Sequence, residues 1–322
     1  MFNIPRLKLA QLPTPVEPLD RLAAQLGGPR LLVKRDDLTG LALGGNKMRK
    51  LEFLMAQAAA QGADAVVTTG AVQSNHCRQT AAAAARLGLA CTLILAGEPP
   101  AALSGNLLLD RLLGAELVWT EKARRDQVLQ ETFDQLRAQG KKPYLVTYGG
   151  SSPVGVCGYV FAVQELLEQG CTPDWIVFAS SSGGTQAGLL LGARLFGYHG
   201  RILGISVDEP AETLRPRIAA LAERTAELLG VQEDFTPDDV LVNADYCSGG
   251  YAVIGAAEVE AIQLLALAEG LLVDPVYTGR AAAGLLDLVR KGFFRPDETA
   301  LFWHTGGTPA LFVDRYQQGL SA

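Results

Sequence analysis

Short apolar segments alternate with amphipathic segments along most of this chain. The apolar segments, such as residues 31–35, 65–69, 91–96 and 144–148, contain many aliphatic and β-branched side chains and predict strands. Between them, segments such as 185–196 repeat their apolar side chains with the period of a helix. Continuously apolar strands separated by helices are typical of parallel sheets that are covered on both faces. The pattern therefore predicts an α/β fold with open, mostly parallel, twisted sheets and helices on both faces.

The length of the chain predicts two lobes. It has 322 residues, more than the ~250 to 300 at which a single hydrophobic core stops growing. No flexible linker marks a boundary, so we expect the second lobe to be inserted into the first. We place the larger lobe at residues 1–48 and 159–322 and a smaller α/β lobe at residues 49–158.

Composition narrows the class of ligand. The formal net charge is −6, and no basic run is longer than residues 47–50, so no nucleic-acid partner is expected. No segment approaches the ~18 consecutive apolar residues of a membrane span, and the N-terminus has no secretion signal, so we expect a cytoplasmic protein without a membrane partner. The 5 cysteines are scattered and only 3 histidines are present, which predicts neither disulfides nor a metal site. Small molecules are the expected ligands.

Lys47 follows two glycines and Asn46 at the start of a predicted helix. The glycines allow a sharp bend, and Asn46 is expected to cap the helix. The positive end of the helix dipole disfavours a cation in the first turn, so Lys47 is poised to lose its proton. A lysine that bonds covalently to an aldehyde must do so. The alternative is an ordinary solvated lysine beside two other cations.

A second polar turn, residues 70–78, joins a predicted strand to the next helix. Ser74, Asn75 and His76 place a hydroxyl, an amide and an imidazole where unpaired N–H groups could bind a carboxylate. Capping of the helix by Ser74 or Asn75 would explain each residue singly. Four polar residues in a row exceed the needs of a cap, which favours a binding site.

A third turn is rich in serine and glycine. Residues 180–188 again lie between a strand and a helix, and Ser182, Gly183, Gly184 and Thr185 could surround a phosphate with N–H groups and hydroxyls. The turn lacks the lysine of a P-loop and the spacing of a dinucleotide-binding motif. A tight glycine turn without a ligand is the alternative.

Two further segments, 274–280 and 303–309, occupy the equivalent position at strand ends, where open α/β sheets bind ligands. Tyr277 could supply a phenol, although Tyr277 and Tyr251 could equally be packing side chains. His304 is expected to be a buried, hydrogen-bonded histidine. A single ligand accounts for all five segments: a phosphate ester of an aromatic aldehyde that condenses with a lysine, which is pyridoxal 5'-phosphate.

The motifs resemble a known family. Residues 12–15, 44–52, 73–76, 182–188 and 274–279 are similar in sequence and order to the D-cysteine desulfhydrase and 1-aminocyclopropane-1-carboxylate deaminase family. These are tryptophan-synthase-β-like, fold type II pyridoxal phosphate enzymes. The resemblance implies that the larger domain binds the cofactor and contains both termini, and that the protein is a homodimer.

The resemblance also implies roles for individual residues. Lys47 would hold the cofactor covalently, Asn75 would bond the ring 3-hydroxyl, and residues 182–185 would bind the phosphate. Ser74 and the N–H groups around His76 would hold the substrate carboxylate. Tyr277, with Tyr251, would face the reacting carbons.

This chain departs from the cyclopropane deaminases at one position. They carry a glutamate directly after the tyrosine, near the pyridine nitrogen, whereas this chain has Thr278. Thr278 or Thr305 would give that nitrogen a neutral hydroxyl partner, and a hydroxyl retains the ring proton less well than a carboxylate.

The weaker electron sink favours β-elimination of thiolate over opening of a cyclopropane ring. D-cysteine desulfhydrase activity is therefore the leading expectation. The alternatives are 1-aminocyclopropane-1-carboxylate deaminase, L-cysteate sulfo-lyase, a D-serine or β-chloroalanine eliminase, and a cofactor-binding protein without turnover.

Overall fold

Strands and helices alternate through most of the computed structural model, which describes residues 2–247 and 249–320. In chain order the elements are β1 (Val16–Pro18), α1 (Asp20–Leu26), β2 (Arg30–Arg35), α2 (Lys47–Ala60), β3 (Ala65–Ala71), α3 (Asn75–Leu87), β4 (Ala90–Ala96), α4 (Gly105–Leu112), β5 (Glu116–Thr120), α5 (Arg125–Ala138), β6 (Pro143–Leu145), α6 (Pro153–Glu168), β7 (Trp175–Ser180), α7 (Gly184–Phe196), β8 (Arg201–Ser206), α8 (Ala211–Leu229), β9 (Leu241–Asn243), α9 (Ala256–Glu269), α10 (Thr278–Arg290), β10 (Thr299–His304) and α11 (Asp314–Leu320). Short 3₁₀ turns fill several of the connections.

The larger sheet has six strands in the order β1-β2-β10-β7-β8-β9. Only β1 runs antiparallel to its neighbour. Because side chains alternate across a strand, Leu31 and Val33 pack with α1, α9 and α10, whereas Leu32 packs with α6 and α7 on the opposite face. Helices therefore cover both faces of this sheet, as the apolar pattern predicts.

The smaller sheet has four parallel strands in the order β5-β4-β3-β6, all from residues 65–145. Val66 and Leu93 pack towards α2, α3 and α4, and Val67 and Ile94 pack towards Leu129 of α5. The strands of the larger sheet lie before and after this segment in the chain. The exact lobe boundaries, after residues 48 and 158, stay a prediction.

Two details of the sequence-based expectations are wrong. The strand expected at 144–148 ends at Leu145, and Tyr148–Gly150 forms a 3₁₀ turn in which Gly149 has a positive φ of 65°. Asn46 occupies the first position before α2, but its side chain does not cap the helix. The edge strands β1 and β9 are not predicted from the sequence, because three residues are too few to display a period.

Candidate active site

The inner cavity lies where the turns that follow β3, β7 and β10 meet the start of α2. Its walls come from residues 46–47, 71, 74–76, 148–149, 179–183 and 185, together with Tyr277 and Thr305. The carboxyl ends of parallel strands in two sheets thus converge on one pocket, the position at which open α/β sheets bind their ligands.

Lys47 is the first residue of α2, and its two neighbours in the chain, Asn46 and Met48, form hydrogen bonds to three other parts of the structure. The Asn46 backbone N–H donates to the Thr305 carbonyl at 3.0 Å, and the Asn46 amide donates to Thr185 Oγ1 at 3.2 Å. The Met48 N–H donates to Gln79 Oε1 at 2.9 Å. Burial lowers the pKa of Lys47 to about 8, which raises the fraction of neutral amine near neutral pH.

Lys50 is a second lysine at this site, and sequence reasoning missed it. It is fully buried, and its Nζ donates to the Gly149 carbonyl at 3.2 Å and to Ser151 Oγ at 3.4 Å. Burial and the neighbouring Lys47 hold the pKa of Lys50 well below its usual value. The three-residue spacing from Lys47 places both lysines on one helix face, and this spacing was the available signal.

Ser74 and Asn75 begin α3 at the edge of the inner cavity. Ser74 Oγ accepts from the Cys77 N–H at 3.1 Å, so Ser74 does cap the helix while it lines the cavity. Asn75 Oδ1 accepts from the Asn106 amide at 2.9 Å. The capping and binding interpretations of this turn are therefore compatible, because a capping side chain still leaves neighbouring groups directed into the cavity.

His76 is buried, and its surroundings disfavour the protonated ring. Thr68 Oγ1 donates to the Val146 carbonyl at 2.7 Å, so it accepts from His76 Nε2 at 2.8 Å. That leaves Nδ1 as the unprotonated nitrogen, buried and without a protein partner. Burial, with the charges of Lys47 and Lys50, keeps the pKa of His76 well below its usual value. The ring is therefore unable to pair with a carboxylate as a cation.

The serine-glycine turn forms the wall at the start of α7. Gly183 precedes the helix with a φ of 87°, and the Gly184 N–H donates to Ser151 Oγ at 3.2 Å. Ser151 Oγ also lies 2.8 Å from Ser182 Oγ. A helix N-terminus lined by hydroxyls is suited to a phosphate, because its N–H groups and dipole favour an anion.

Two tyrosines meet on the opposite side. The hydroxyls of Tyr251 and Tyr277 are 2.7 Å apart, and Tyr277 lines the inner cavity. Burial, followed by the neighbouring Tyr251, raises the pKa of Tyr277 well above its usual value, so its hydroxyl stays protonated. Tyr251 lines an adjoining outer cavity, which also contacts Arg125 and Asp208.

Of the two threonines expected near the pyridine nitrogen, Thr305 lines the inner cavity and Thr278 does not. Thr278 is fully buried, and its hydroxyl donates to Asp274 Oδ1 at 2.7 Å while accepting from the Asp274 N–H. His304, as expected, is buried and accepts from the Gly306 N–H through Nδ1.

Most of the predicted site residues thus come together. Lys47, Ser74, Asn75, His76, Ser182, Gly183, Thr185, Tyr277 and Thr305 line the inner cavity, Tyr251 lines the outer one, and Gly184 and Thr278 lie behind the walls. Tyr148, Gly149 and Ser151 were missed, because they follow a strand whose end was misplaced.

The side chains and N–H groups that surround the inner cavity fit pyridoxal phosphate. A side chain at Gly184 would begin 2.5 Å from Ser151 Oγ and 2.9 Å from Lys50 Nζ, so the glycine leaves room for a close-packed polar turn. A lysine with a lowered pKa opens onto the same cavity, as covalent attachment of an aldehyde requires. Residues 2–247 and 249–320 contain neither a helix able to cross a membrane nor a cluster of candidate metal ligands.

Comparison with known proteins identifies the class. A family model described as pyridoxal-phosphate dependent enzyme matches residues 7–306. This chain belongs to that family of enzymes, and the expected fold class and cofactor are confirmed.

Individual relatives indicate which members of the family this chain is similar to. D-cysteine desulfhydrase of Yersinia enterocolitica is 45% identical over 324 residues, with 97% of each chain covered. A protein of Pyrococcus abyssi, provisionally named 1-aminocyclopropane-1-carboxylate deaminase, is 44% identical over 319 residues, covering 97% of this chain and 94% of its own. The solved structure of an ACC deaminase homologue has a TM-score of 0.91 and 40% identity, covering 99% of this chain and 96% of that one. The family resemblance seen in the motifs is confirmed.

Proposed function

We propose that this enzyme catalyses β-elimination from a small amino acid, with D-cysteine as the leading substrate and pyruvate, hydrogen sulfide and ammonia as products. The observation that carries the proposal is an inner cavity whose described lining includes Thr305 and no carboxylate. Without a carboxylate the pyridine nitrogen is held by a neutral group, which suffices for loss of thiolate but disfavours opening of a cyclopropane ring.

The proposed roles follow from the contacts. When bound, pyridoxal phosphate supplies an aldehyde for the substrate amine and an electron-poor ring that acidifies the α-hydrogen. Lys47 would hold the aldehyde and, once displaced by the substrate amine, would accept the α-proton through Nζ. Asn75 would donate to the ring 3-oxygen, and Thr305 would bond the ring nitrogen. The start of α7, with Ser182, Gly183, Gly184 and Thr185, would hold the phosphate.

We assign the substrate carboxylate to the start of α3, where Ser74 and the N–H groups around His76 would bind it. Tyr277 would donate a hydrogen bond to the departing sulfur, because its raised pKa keeps the hydroxyl protonated and the sulfur leaves as hydrosulfide, a weaker base than tyrosinate. The Tyr251 hydroxyl lies 2.7 Å from that of Tyr277 and would orient it. Aminoacrylate then leaves and hydrolyses to pyruvate and ammonia.

A product assay tests this proposal. Purified holoenzyme is incubated separately with D-cysteine, L-cysteine, L-cysteate, D-serine, β-chloroalanine and 1-aminocyclopropane-1-carboxylate, and sulfide, sulfite, pyruvate and 2-oxobutyrate are measured. We expect equal amounts of sulfide and pyruvate from D-cysteine, with Lys47→Ala as the blank.

Other products would overturn the proposal in identifiable ways. Release of 2-oxobutyrate as the main activity would identify a deaminase, and sulfite from L-cysteate would identify a sulfo-lyase. Faster pyruvate release from D-serine or β-chloroalanine would identify a different eliminase. A coloured protein that forms no keto acid with any of these substrates would be a cofactor-binding protein without turnover.

We also propose a cytoplasmic homodimer. Leu112 on α4 is 72% exposed and Phe312 in the adjacent 3₁₀ turn is 61% exposed, so this face offers apolar area for a second copy. The molar mass from light scattering tests the proposed dimer. We expect the wild type to have the mass of a dimer and Leu112→Asp to associate more weakly.

The lobe boundaries form a separate proposal, with the smaller lobe at 49–158 and the larger at 1–48 and 159–322. The confinement of one sheet to residues 65–145 supports it. Crystal structures with and without substrate test it, because two rigid superpositions should diverge near residues 48 and 158.

A further inference from the structure

Asn106 lies outside both cavities but contacts the turn that carries Asn75. It is fully buried at the second position of α4. Its amide nitrogen donates to the Gln73 carbonyl at 2.9 Å and to Asn75 Oδ1 at 2.9 Å. Its backbone N–H donates to Gln73 Oε1 at 2.8 Å, and Gln73 Nε2 donates to the Ser104 carbonyl at 3.0 Å. The start of α4 therefore holds residues 73–75 through four hydrogen bonds.

These contacts fix the direction of two side-chain amides. A backbone carbonyl only accepts hydrogen bonds, so the Gln73 carbonyl requires the nitrogen of Asn106 rather than its oxygen. The same nitrogen also faces Asn75, so Asn75 must present its oxygen. The Asn75 N–H groups are then left on the other side of that amide, and Asn75 is one of the residues that line the inner cavity.

We propose that Asn106 is a positioning residue that orients the Asn75 amide so that an N–H, and not a carbonyl oxygen, faces the cofactor ring. This inference rests on the role proposed for Asn75. The 3-oxygen of the ring needs a donor, and an amide rotated by half a turn would present a second acceptor and repel it. Nothing in residues 70–78 alone specifies this direction, because both orientations of an asparagine amide have nearly the same shape.

Close packing explains why the turn stays in place. Gly105, just before Asn106, has a φ of 56°, and a Cβ there would lie 2.6 Å from Gln73 Oε1. The glycine thus permits the approach of α4 to the turn. Asn106 Oδ1 has no hydrogen-bond partner although it is buried, a cost that the two bonds from its nitrogen must offset.

Two variants of the holoenzyme test the inference. Asn106→Leu has a similar volume and donates nothing from its side chain, and Asn106→Asp replaces the donor by a group that only accepts when ionised. In both, we expect a shift in the visible absorbance maximum of the bound cofactor and in the pH midpoint of that absorbance. Release of cofactor should be faster by about tenfold, the effect of losing one hydrogen bond of about 1.4 kcal/mol.

A neighbouring variant separates positioning from stability. Leu107 follows Asn106 on α4 and is fully buried in the core. Leu107→Ala should lower the unfolding temperature and leave the absorbance maximum and its pH midpoint at the wild-type values. If the Asn106 variants likewise lower only the unfolding temperature, Asn106 is merely structural and the inference is wrong.

A double-mutant cycle shows whether Asn106 acts through Asn75. In an Asn75→Ala background, Asn106→Leu should cause no further change in the spectrum. Additive spectral changes would overturn the inference alone. An unaltered spectrum in Asn75→Ala itself would overturn the proposed role of Asn75 and this inference with it. Both outcomes are independent of which substrate the product assay identifies.

Discussion

Burial reduces the affinity of Lys47 for a proton. It lowers the pKa of Lys47 from 10.5 to about 8, although the hydrogen bond with Lys50 acts in the opposite direction. At the scale of the residue, the site therefore raises the fraction of neutral amine near neutral pH, and the neutral amine is the form that attacks an aldehyde.

The lowered pKa predicts how cofactor capture depends on pH. Only neutral Lys47 reacts, so the rate at which apo-protein takes up pyridoxal phosphate should rise about tenfold per pH unit below about pH 8 and level off above it. Stopped-flow absorbance measures this rate, and circular dichroism over the same range controls for unfolding. A midpoint near the ordinary lysine value of 10.5 would contradict the prediction.

Loss of the Lys47 amine should remove both covalent attachment and proton transfer. We expect Lys47→Ala to lack the visible absorbance of the wild type and to lose turnover by orders of magnitude. Borohydride reduction followed by mass spectrometry checks the attachment. Lys50→Met is the matched control, because it removes a nearby amine of the same helix but should still become covalently labelled. Labelling of Lys47→Ala at another lysine would remove Lys47 from its assigned role.

At the scale of elements, the site depends on two helix starts and one turn from distant parts of the chain. The start of α7 approaches Ser151, just before α6, and Asn46, just before α2, donates to Thr185 of α7. Lys50 of α2 reaches Ser151 as well. The lysine and the proposed phosphate site are therefore connected directly, so a change in one helix start should affect the other.

Gly184 tests this close packing. A methyl group there would begin 2.5 Å from Ser151 Oγ and 2.9 Å from Lys50 Nζ, so α7 or the 149–151 turn must shift. We expect Gly184→Ala to release cofactor at least about tenfold faster, as the loss of one or more hydrogen bonds would produce. Gly319→Ala is the control, since its added methyl meets only an ordinary contact at 3.9 Å from Ile254. Equal release rates in the two variants would contradict the predicted crowding.

At the scale of the molecule, a buried ionic network joins α2 to the larger sheet. The Arg49 guanidinium donates to both oxygens of Asp36 at the end of β2 and to both oxygens of Glu165 on α6. Trp303 of β10 also donates to Asp36, at 2.8 Å. Burial opposes ionisation of Asp36, but Arg49, Tyr159 and Lys34 together outweigh it and lower the pKa of that carboxyl. The network fixes the helix that carries Lys47.

Breaking this network should be costly. Arg49→Met leaves buried carboxylates without their partner, so we expect the free energy of unfolding to fall by about 3 to 5 kcal/mol. Arg290→Met, which breaks an exposed pair with Glu260, should cost only about 0 to 1 kcal/mol. Denaturant unfolding measures both. A small effect for Arg49→Met would show that the network contributes little to stability.

The sequence by itself determined the elements and the local chemistry. Periods of apolar side chains predict strands and helices from neighbouring residues alone, and β4 covers the strand expected at residues 91–96 with one further residue at its start. The serine-glycine turn before α7 and the lysine at the start of α2 were visible for the same reason, since each is a contiguous motif. Short edge strands and the end of β6 escaped prediction because they carry too few residues for a pattern.

The tertiary structure alone decided which polar groups meet. It directs Thr305 into the inner cavity and turns the Thr278 hydroxyl to Asp274, although both threonines follow a strand or extended segment. It ties Asn46 to Thr185, 139 residues away, instead of to its own helix, and it brings Asn106 to Asn75. These choices depend on contacts between distant segments, and the side-chain types along the chain do not encode them locally.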